Sequence, residues 1–261
     1  MSATSSGNKR GVRGKRGFAG PREDDPRVVR TRAAVVDAAR TLFLQKGYAG
    51  TTMEEIAALA GLTKRTVYNN YADKNALFTQ IVADVIVYAE EFARGLRAEF
   101  NVGITAANLR ATLDNVGRRL ALGIMRPEVV ALRRLLIGEA RGFPALATEY
   151  FDRAPGQVID ALALGFEHLG QIGLLRLADA RRAAAQFAYL VAGEPLDRAV
   201  LVGTAPPREH VIACAQEGVA TFLARYGAAR RGRGRKGPSA ASDGSVPHQA
   251  GLTYVRTVIA R

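Results

Sequence analysis

Apolar residues recur along this chain at spacings of three and four rather than two. Over residues 27 to 46, Val29, Ala33, Val36, Ala39, Leu42 and Phe43 form one stripe, and Lys46-Gly47 ends it. From Lys74 onward the same rhythm predicts helices near 74 to 100, 105 to 123, 127 to 141, 144 to 170, 178 to 202 and 207 to 226. Pro127, Pro144 and Pro207 each suit a first helical turn, and Gly103, Gly142 and Gly173 fall in or near the breaks. Alternating β-branched runs are too few to build a sheet, so the pattern predicts an all-α fold.

Between these regions, TTMEEIAALAGLTKRTVYNNYADKNALF at residues 51 to 78 reads as two short helices meeting at a glycine turn, with a third behind them. Thr51 or Thr52 caps the first, with Glu54 or Glu55 three residues on to close a capping box. Met53, Ile56, Ala57 and Ala60 share one face, and Gly61 stops the helix. Leu62 plugs the turn, Thr63 caps the second helix, and Val67 and Tyr71 bury one side of it. The other side carries Lys64, Arg65, Thr66, Tyr68 and Asn69. An eight-residue helix is roughly 12 Å long, close to the major-groove width of about 12 Å. Its exposed groups are donors and mixed donor-acceptors suited to base edges or phosphates. Asp73 caps the third helix, and Lys74 in its first turn adds a cation where free N–H groups already favour an anion. The pattern is a helix-turn-helix and implies DNA binding.

The run VVDAARTLFLQKGYAGTTMEEIAALAGLTKRTVYNNYADKNALF resembles the N-terminal domain of TetR-family transcriptional regulators. The resemblance rests on Ala38-Ala39, Leu42-Phe43, Gly47-Tyr48, Thr51-Thr52, Ile56-Ala57, Ala60-Gly61, Tyr68, Tyr71 and Lys74. It implies that Thr63, Lys64, Arg65, Thr66 and Asn69 face the groove, while Thr51 or Thr52, Tyr68 and Lys74 take phosphate. Arg65 departs from the family pattern, which most often has a small residue there. An arginine at that position reaches a guanine edge or folds back onto phosphate.

A looser resemblance covers roughly residues 127 to 203, which is similar to the AefR-like C-terminal domain of part of that family. It rests on Glu139, Arg141, Phe143-Pro144, Gly173-Leu174 and the Ala183 to Phe187 stretch. The resemblance implies a homodimer built on the last two long helices, with Ala183, Ala184, Phe187, Leu190 and Val191 as the candidate interface face. The same face also reads as intramolecular core, and periodicity does not separate the two. A pocket for a small-molecule effector, apolar or aromatic in character, is implied as well. Its candidate lining is Phe92, Phe100, Met125, Tyr150, Phe151, Phe166 and Tyr189. The expected organisation is a basic tail at 1–26, a helix-turn-helix domain at 27–75, a helical effector-binding and dimerisation domain at 76–226, and a second low-complexity basic tail at 227–261.

Charge sharpens this picture. The chain has 261 residues and a formal net charge of +13. Residues 1 to 22 hold six basic side chains and no acid, and residues 225 to 236 hold six more and no acid. Residues 27 to 75 carry eight basic against four acidic side chains, whereas residues 76 to 224 carry fifteen against sixteen. The positive field of the body therefore sits where the helix-turn-helix sits, as steering to a polyanion requires. The Gly-, Ser- and Arg-rich tails read as disordered, with a phosphate clamp as their functional alternative. Residues 251 to 261, GLTYVRTVIAR, turn apolar again and receive no assigned role.

Other chemistries find little support in the residues. The N-terminal segment lacks the apolar core of a signal peptide, and no apolar run reaches the roughly 18 residues of a membrane span. Cys214 is the single cysteine, which excludes an internal disulfide and fits a cytoplasmic protein, with packing as its expected role. His168, His210 and His248 are widely spaced, so no metal site is expected, and no cofactor motif is found. The glycines of the two tails have no strand before them or helix after them to make a dinucleotide fold, so an enzyme is not expected. The remaining alternative to a sequence-specific repressor released by an effector is a sequence-tolerant DNA-coating protein that relies on its basic tails.

Overall fold

In a computed structural model the protein is described over residues 25–100 and 103–228. The basic stretches at 1–22 and 230–236, and the apolar stretch at 251–261, lie outside the described residues. Ten α-helices account for most of the rest, and among the described residues the one β feature is an isolated bridge between Leu175 and Gly227.

Three short-range signals build the N-terminal part. α1 (Pro26–Lys46) starts at Asp25, whose side chain accepts from the Arg27 amide, and ends at Gly47. It buries Val35, Val36, Ala38, Ala39, Leu42 and Phe43, whereas Val29 and Ala33, expected on that stripe, are exposed. The apolar face begins one turn later than the pattern alone suggests. α2 (Met53–Leu59) is closed by a complete Thr52–Glu55 capping box and ends at Gly61, whose φ of 66° lies in the left-handed region. α3 (Lys64–Asn70) is capped by the Thr63 side chain and buries Val67. α4 (Lys74–Glu99) is capped by Asp73, which accepts from the Ala76 amide at 2.8 Å.

α4 is the rod that joins the two halves, since 26 residues at about 1.5 Å each give it roughly 39 Å. Its first half places Leu77, Phe78, Ile81, Val82, Val85 and Ile86 in the core of the helix-turn-helix region. Its second half and the Phe100 that follows it place Ala93, Leu96 and Phe100 in a separate core.

That second core is built by α5 (Leu109–Ile124), α8 (Gln157–Gln171), α9 (Ala180–Val202) and α10 (Arg208–Tyr226). At its centre the rings of Phe166, Phe187 and Phe222 lie 4.9 to 5.3 Å apart pairwise. Gly165 admits the Phe100 ring, because a Cβ at that position would collide with the ring carbons. Two further helices, α6 (Pro127–Glu139) and α7 (Pro144–Phe151), each begin on a proline. They pack Val129, Leu132, Leu135, Leu136 and Tyr150 into the same core as the helix-turn-helix residues.

Two expected helix boundaries differ from the structure. The single helix read over 144 to 170 is interrupted by a π-helical turn, Asp152–Gly156, containing Pro155. Proline has no N–H for the regular ladder, and the wider turn accommodates it. Pro207 is the cap residue before α10 rather than its first turn. Beyond α10 the chain doubles back, with the Ala228 amide donating to the Leu174 carbonyl at 3.0 Å.

Candidate DNA interface and helical-domain cavity

Val67 is fully buried and Tyr71 half-buried, which fixes α3 with Lys64, Arg65, Tyr68 and Asn69 exposed on its other side. Thr66 is half-buried, and its hydroxyl lies 2.9 Å from that of Thr63, the capping residue. Lys64 Nζ reaches Glu54 Oε1 at 3.1 Å, an ion pair that ties α3 to α2 and holds the Glu54 carboxyl below its usual range. Arg65 is exposed and has no ion-pair partner among the described residues. The seven residues of α3 extend roughly 10 Å, within the major-groove width of about 12 Å.

Two residues expected to take phosphate are engaged elsewhere. Thr51 is 1% exposed, and its hydroxyl donates to the Gly47 carbonyl at 2.9 Å, so its side chain is closed to DNA. Of the Thr51-Thr52 pair, only Thr52 is exposed, as the cap of α2. Lys74 Nζ donates to the Tyr48 carbonyl at 2.7 Å and the Thr51 carbonyl at 2.8 Å, and lies 4.4 Å over the Tyr48 ring. The ammonium thus gathers the carbonyls of the α1–α2 link instead of standing free at the surface. Burial raises the Tyr48 phenol above its usual value, with Asp73 and Glu139 adding to the shift, and its hydroxyl bonds to the Asn75 side chain.

The helical half holds a cavity of about 100 Å³, partly open to solvent, lined by α4, α5, α6, α7, α8, α9 and the π-helical turn. Its wall includes three of the expected aromatic residues, Phe92, Tyr150 and Tyr189. The other four lie elsewhere. Phe100, Met125 and Phe166 are core packing, and Phe151 points outward at 54% exposure. Tyr88 and Arg133 also line the cavity and were not anticipated. Tyr88 carried the same aromatic signal as Phe92 one turn earlier; Arg133 carried none, because a cation on a helix reads as solvated. Arg126 stacks on the Tyr88 ring at 4.4 Å.

The expected dimer face is corrected by the packing. Ala183, Ala184, Phe187 and Val191 are buried within the single chain, against α5, α8 and α10, and Leu190 alone of the set remains exposed, at 40%. Cys214, expected to be buried, is only half-covered and lies 3.5 Å from His210 Nε2. No described helix is long and apolar enough to cross a membrane.

Comparison with known proteins agrees with this architecture in both halves. The profile described as bacterial regulatory proteins, tetR family, matches residues 35–81, and that of the AefR-like transcriptional repressor C-terminal domain matches residues 111–228. A TetR-family transcriptional regulator of Mesorhizobium loti MAFF303099 superposes with a TM-score of 0.67 at 28% identity, covering 76% of this chain and 98% of that one. The flavonoid-responsive regulator FrrA gives 0.56 at 30% identity, again over 76% and 98%. The HTH-type transcriptional repressor BepR of Brucella suis biovar 1 (strain 1330) is 26% identical over 52% of this chain and 78% of its own length. Other curated regulators match over only 24% to 34% of theirs. With a capped helix-turn-helix in front, an AefR-like helical bundle behind and regulators of the same build on every side of the comparison, the chain belongs to the TetR family of bacterial transcriptional regulators.

Proposed function

We propose that this regulator is a repressor that binds an inverted-repeat operator as a homodimer and leaves it when an aromatic small molecule enters the cavity of the helical half. The observation that carries the DNA reading is the exposure of Lys64, Arg65, Tyr68 and Asn69 together on one side of α3 while Val67 anchors the other. One such helix reads only a few base pairs, so a two-fold pair is needed for a site to be distinguished within a genome. The outer surface of α9, where Leu190, Leu201 and Val202 stay exposed, is the apolar ground for that pairing.

The cavity's size and position support effector release. At about 100 Å³ it is smaller than the roughly 300–1,000 Å³ of sites that hold drug-sized ligands, so a ligand must widen it. Widening displaces α4, whose first turn is bonded through Lys74 to the link before the helix-turn-helix. A ligand that binds the widened form more tightly shifts the protein away from its DNA-bound geometry. The lining is apolar apart from Arg133 and the Tyr88, Tyr150 and Tyr189 hydroxyls, which suits an aromatic ring system bearing an acidic or phenolic group. The flavonoid response named for FrrA supports that chemistry, and repression is favoured by the names of BepR and of the matching C-terminal profile.

Selection of bound sequences from random duplex DNA at near-physiological salt tests the proposal. Enrichment of an inverted repeat, released by members of a flavonoid and phenol panel, is the expected result. Binding without sequence preference that vanishes as salt rises overturns it in favour of a DNA-coating protein.

A further inference from the structure

The turn between α9 and α10 brings together three side chains that the operator and effector readings leave unused. Glu194 stands on α9, while His210 and Cys214 stand one turn apart on α10 and so share a face. His210 Nε2 lies 2.9 Å from Glu194 Oε2 and 3.5 Å from Cys214 Sγ, and Cys214 Sγ lies 3.9 Å from Glu194 Oε2. One ligand atom from each residue therefore falls within 4.8 Å of the others.

From this geometry we infer that Glu194, His210 and Cys214 form a zinc-binding site. With Zn–S near 2.3 Å and Zn–N and Zn–O near 2.0–2.2 Å, tetrahedral coordination sets the ligand atoms roughly 3.3–3.6 Å apart. The three separations above straddle that range within a few tenths of an ångström. Small rotamer adjustments on two packed helices thus bring all three onto one ion. A thiolate, an imidazole and a carboxylate suit Zn²⁺ and disfavour Mg²⁺ or Ca²⁺, which take oxygen ligands. Three protein ligands leave the fourth position to water.

Binding replaces the thiol proton, which passes to solvent, and replaces the hydrogen bond shared by Glu194 and His210; the imidazole binds in its neutral form through Nε2. Because the thiol must lose its proton to bind the ion, occupancy falls as pH falls. The Glu194 carboxylate beside the thiol favours a divalent cation there. A Glu–His pair on a surface is otherwise ordinary, and the half-buried thiol within reach of both is what distinguishes this cluster. The site stands independently of the proposed operator and effector. It lies on the same helix as the α9 surface offered for pairing, so its stoichiometry is counted per chain.

The test is titration of the untagged full-length protein, under a reductant that does not bind metal, with Zn²⁺ against a chromophoric chelator. Co²⁺ substitution is followed in parallel. One ion per chain is expected, with a sulfur-to-cobalt charge-transfer band and the intense visible bands of a tetrahedral ion. Cys214→Ser abolishes the charge-transfer band, and Cys214→Ser, His210→Gln and Glu194→Gln each weaken binding at least about tenfold, since even outer-shell partners of metal sites cost about 10–100-fold. Helical circular dichroism verifies that each variant is folded. His248→Ala leaves binding unchanged. Absence of stoichiometric binding, binding undiminished by Cys214→Ser and His210→Gln, or binding that follows His248 overturns the assignment.

Discussion

The ring of Tyr48, in the link that leads into the helix-turn-helix, packs edge-on against the ring of Phe143, just before α7, with centroids 5.0 Å apart. Phe143 also meets Phe78 of α4 at 4.9 Å, and Tyr48 meets Phe43 of α1 and Phe78 of α4 at 5.4 Å each. One aromatic cluster thus joins the DNA-reading half to the α6–α7 layer, whose Tyr150 lines the cavity.

If effector binding reaches α3 through this cluster, removing Phe143 uncouples the two. Phe143→Ala is expected to cost about 2 kcal/mol, below the ~3–5 kcal/mol of a fully buried phenylalanine because the ring is half-exposed. Urea denaturation measures that loss. Operator affinity without effector should remain close to wild type, while effector-driven release weakens. Release that is unchanged in the folded variant would place the coupling in α4 alone.

Lys74 offers a second test, because its ammonium is occupied by the Tyr48 and Thr51 carbonyls. Lys74→Met leaves those acceptors without the cation and should destabilise the fold by about 1–3 kcal/mol. It should leave the dependence of operator affinity on salt unaltered. Lys64→Ala and Arg65→Ala, on the exposed side of α3, should each reduce the salt slope by about 1 if the side chain neutralises one phosphate, and Arg65→Ala relaxes sequence preference instead if it reads a base. A slope reduced by Lys74→Met would mean that the ammonium abandons the carbonyls for phosphate when DNA arrives.

Acid sensitivity is expected at the start of α2. The Glu55 carboxyl is held below its usual range first by the hydrogen bond from Lys46, then by the Thr52 backbone and hydroxyl. A depressed folded pKa means that its contribution is fully present above the unfolded carboxylate value, about 4.3, and is lost as pH falls through the lower folded value. Glu55→Gln keeps a capping side chain but removes the charge. Its urea midpoint should lie below wild type at neutral pH, and the gap should close in acid. A gap independent of pH would assign the contribution to side-chain shape rather than charge.

The contrast between the two halves explains what could be read from residues alone. Thr52, Glu55, Gly61, Thr63 and Asp73 act within four positions of themselves, so the helix-turn-helix was legible as a string of caps and stops. Pro127 and Pro144 marked helix starts for the same reason. A buried stripe, by contrast, does not say what buries it. Ala183, Ala184, Phe187 and Val191 present the periodicity of an interface and of a core alike, and only the positions of α5, α8 and α10 decide between them. Phe92 and Phe100 sit at one end of α4, yet one faces the cavity while the other fills the space left by Gly165. The Glu194–His210–Cys214 cluster was hidden similarly: the His210–Cys214 spacing was visible, but its third member arrives from another helix.

Ala192 is 1% exposed and lines the cavity from α9, so adding three carbons there fills the space an effector would use. Ala192→Leu should therefore bind operator as the wild type does and resist release by flavonoids and phenols. Its stability should change by no more than about 1–2 kcal/mol, because the added atoms enter existing space rather than forcing packed neighbours apart. Gly165→Ala is the opposing control: its new Cβ collides with the Phe100 ring in a region with no room, at a cost of about 1–3 kcal/mol. The readout is the rise in melting temperature that a releasing compound gives each protein. Wild type and Gly165→Ala should both show that rise, the second from a lower starting point, and Ala192→Leu should show none. An unchanged rise in Ala192→Leu would move the effector site away from the space between α4 and α9.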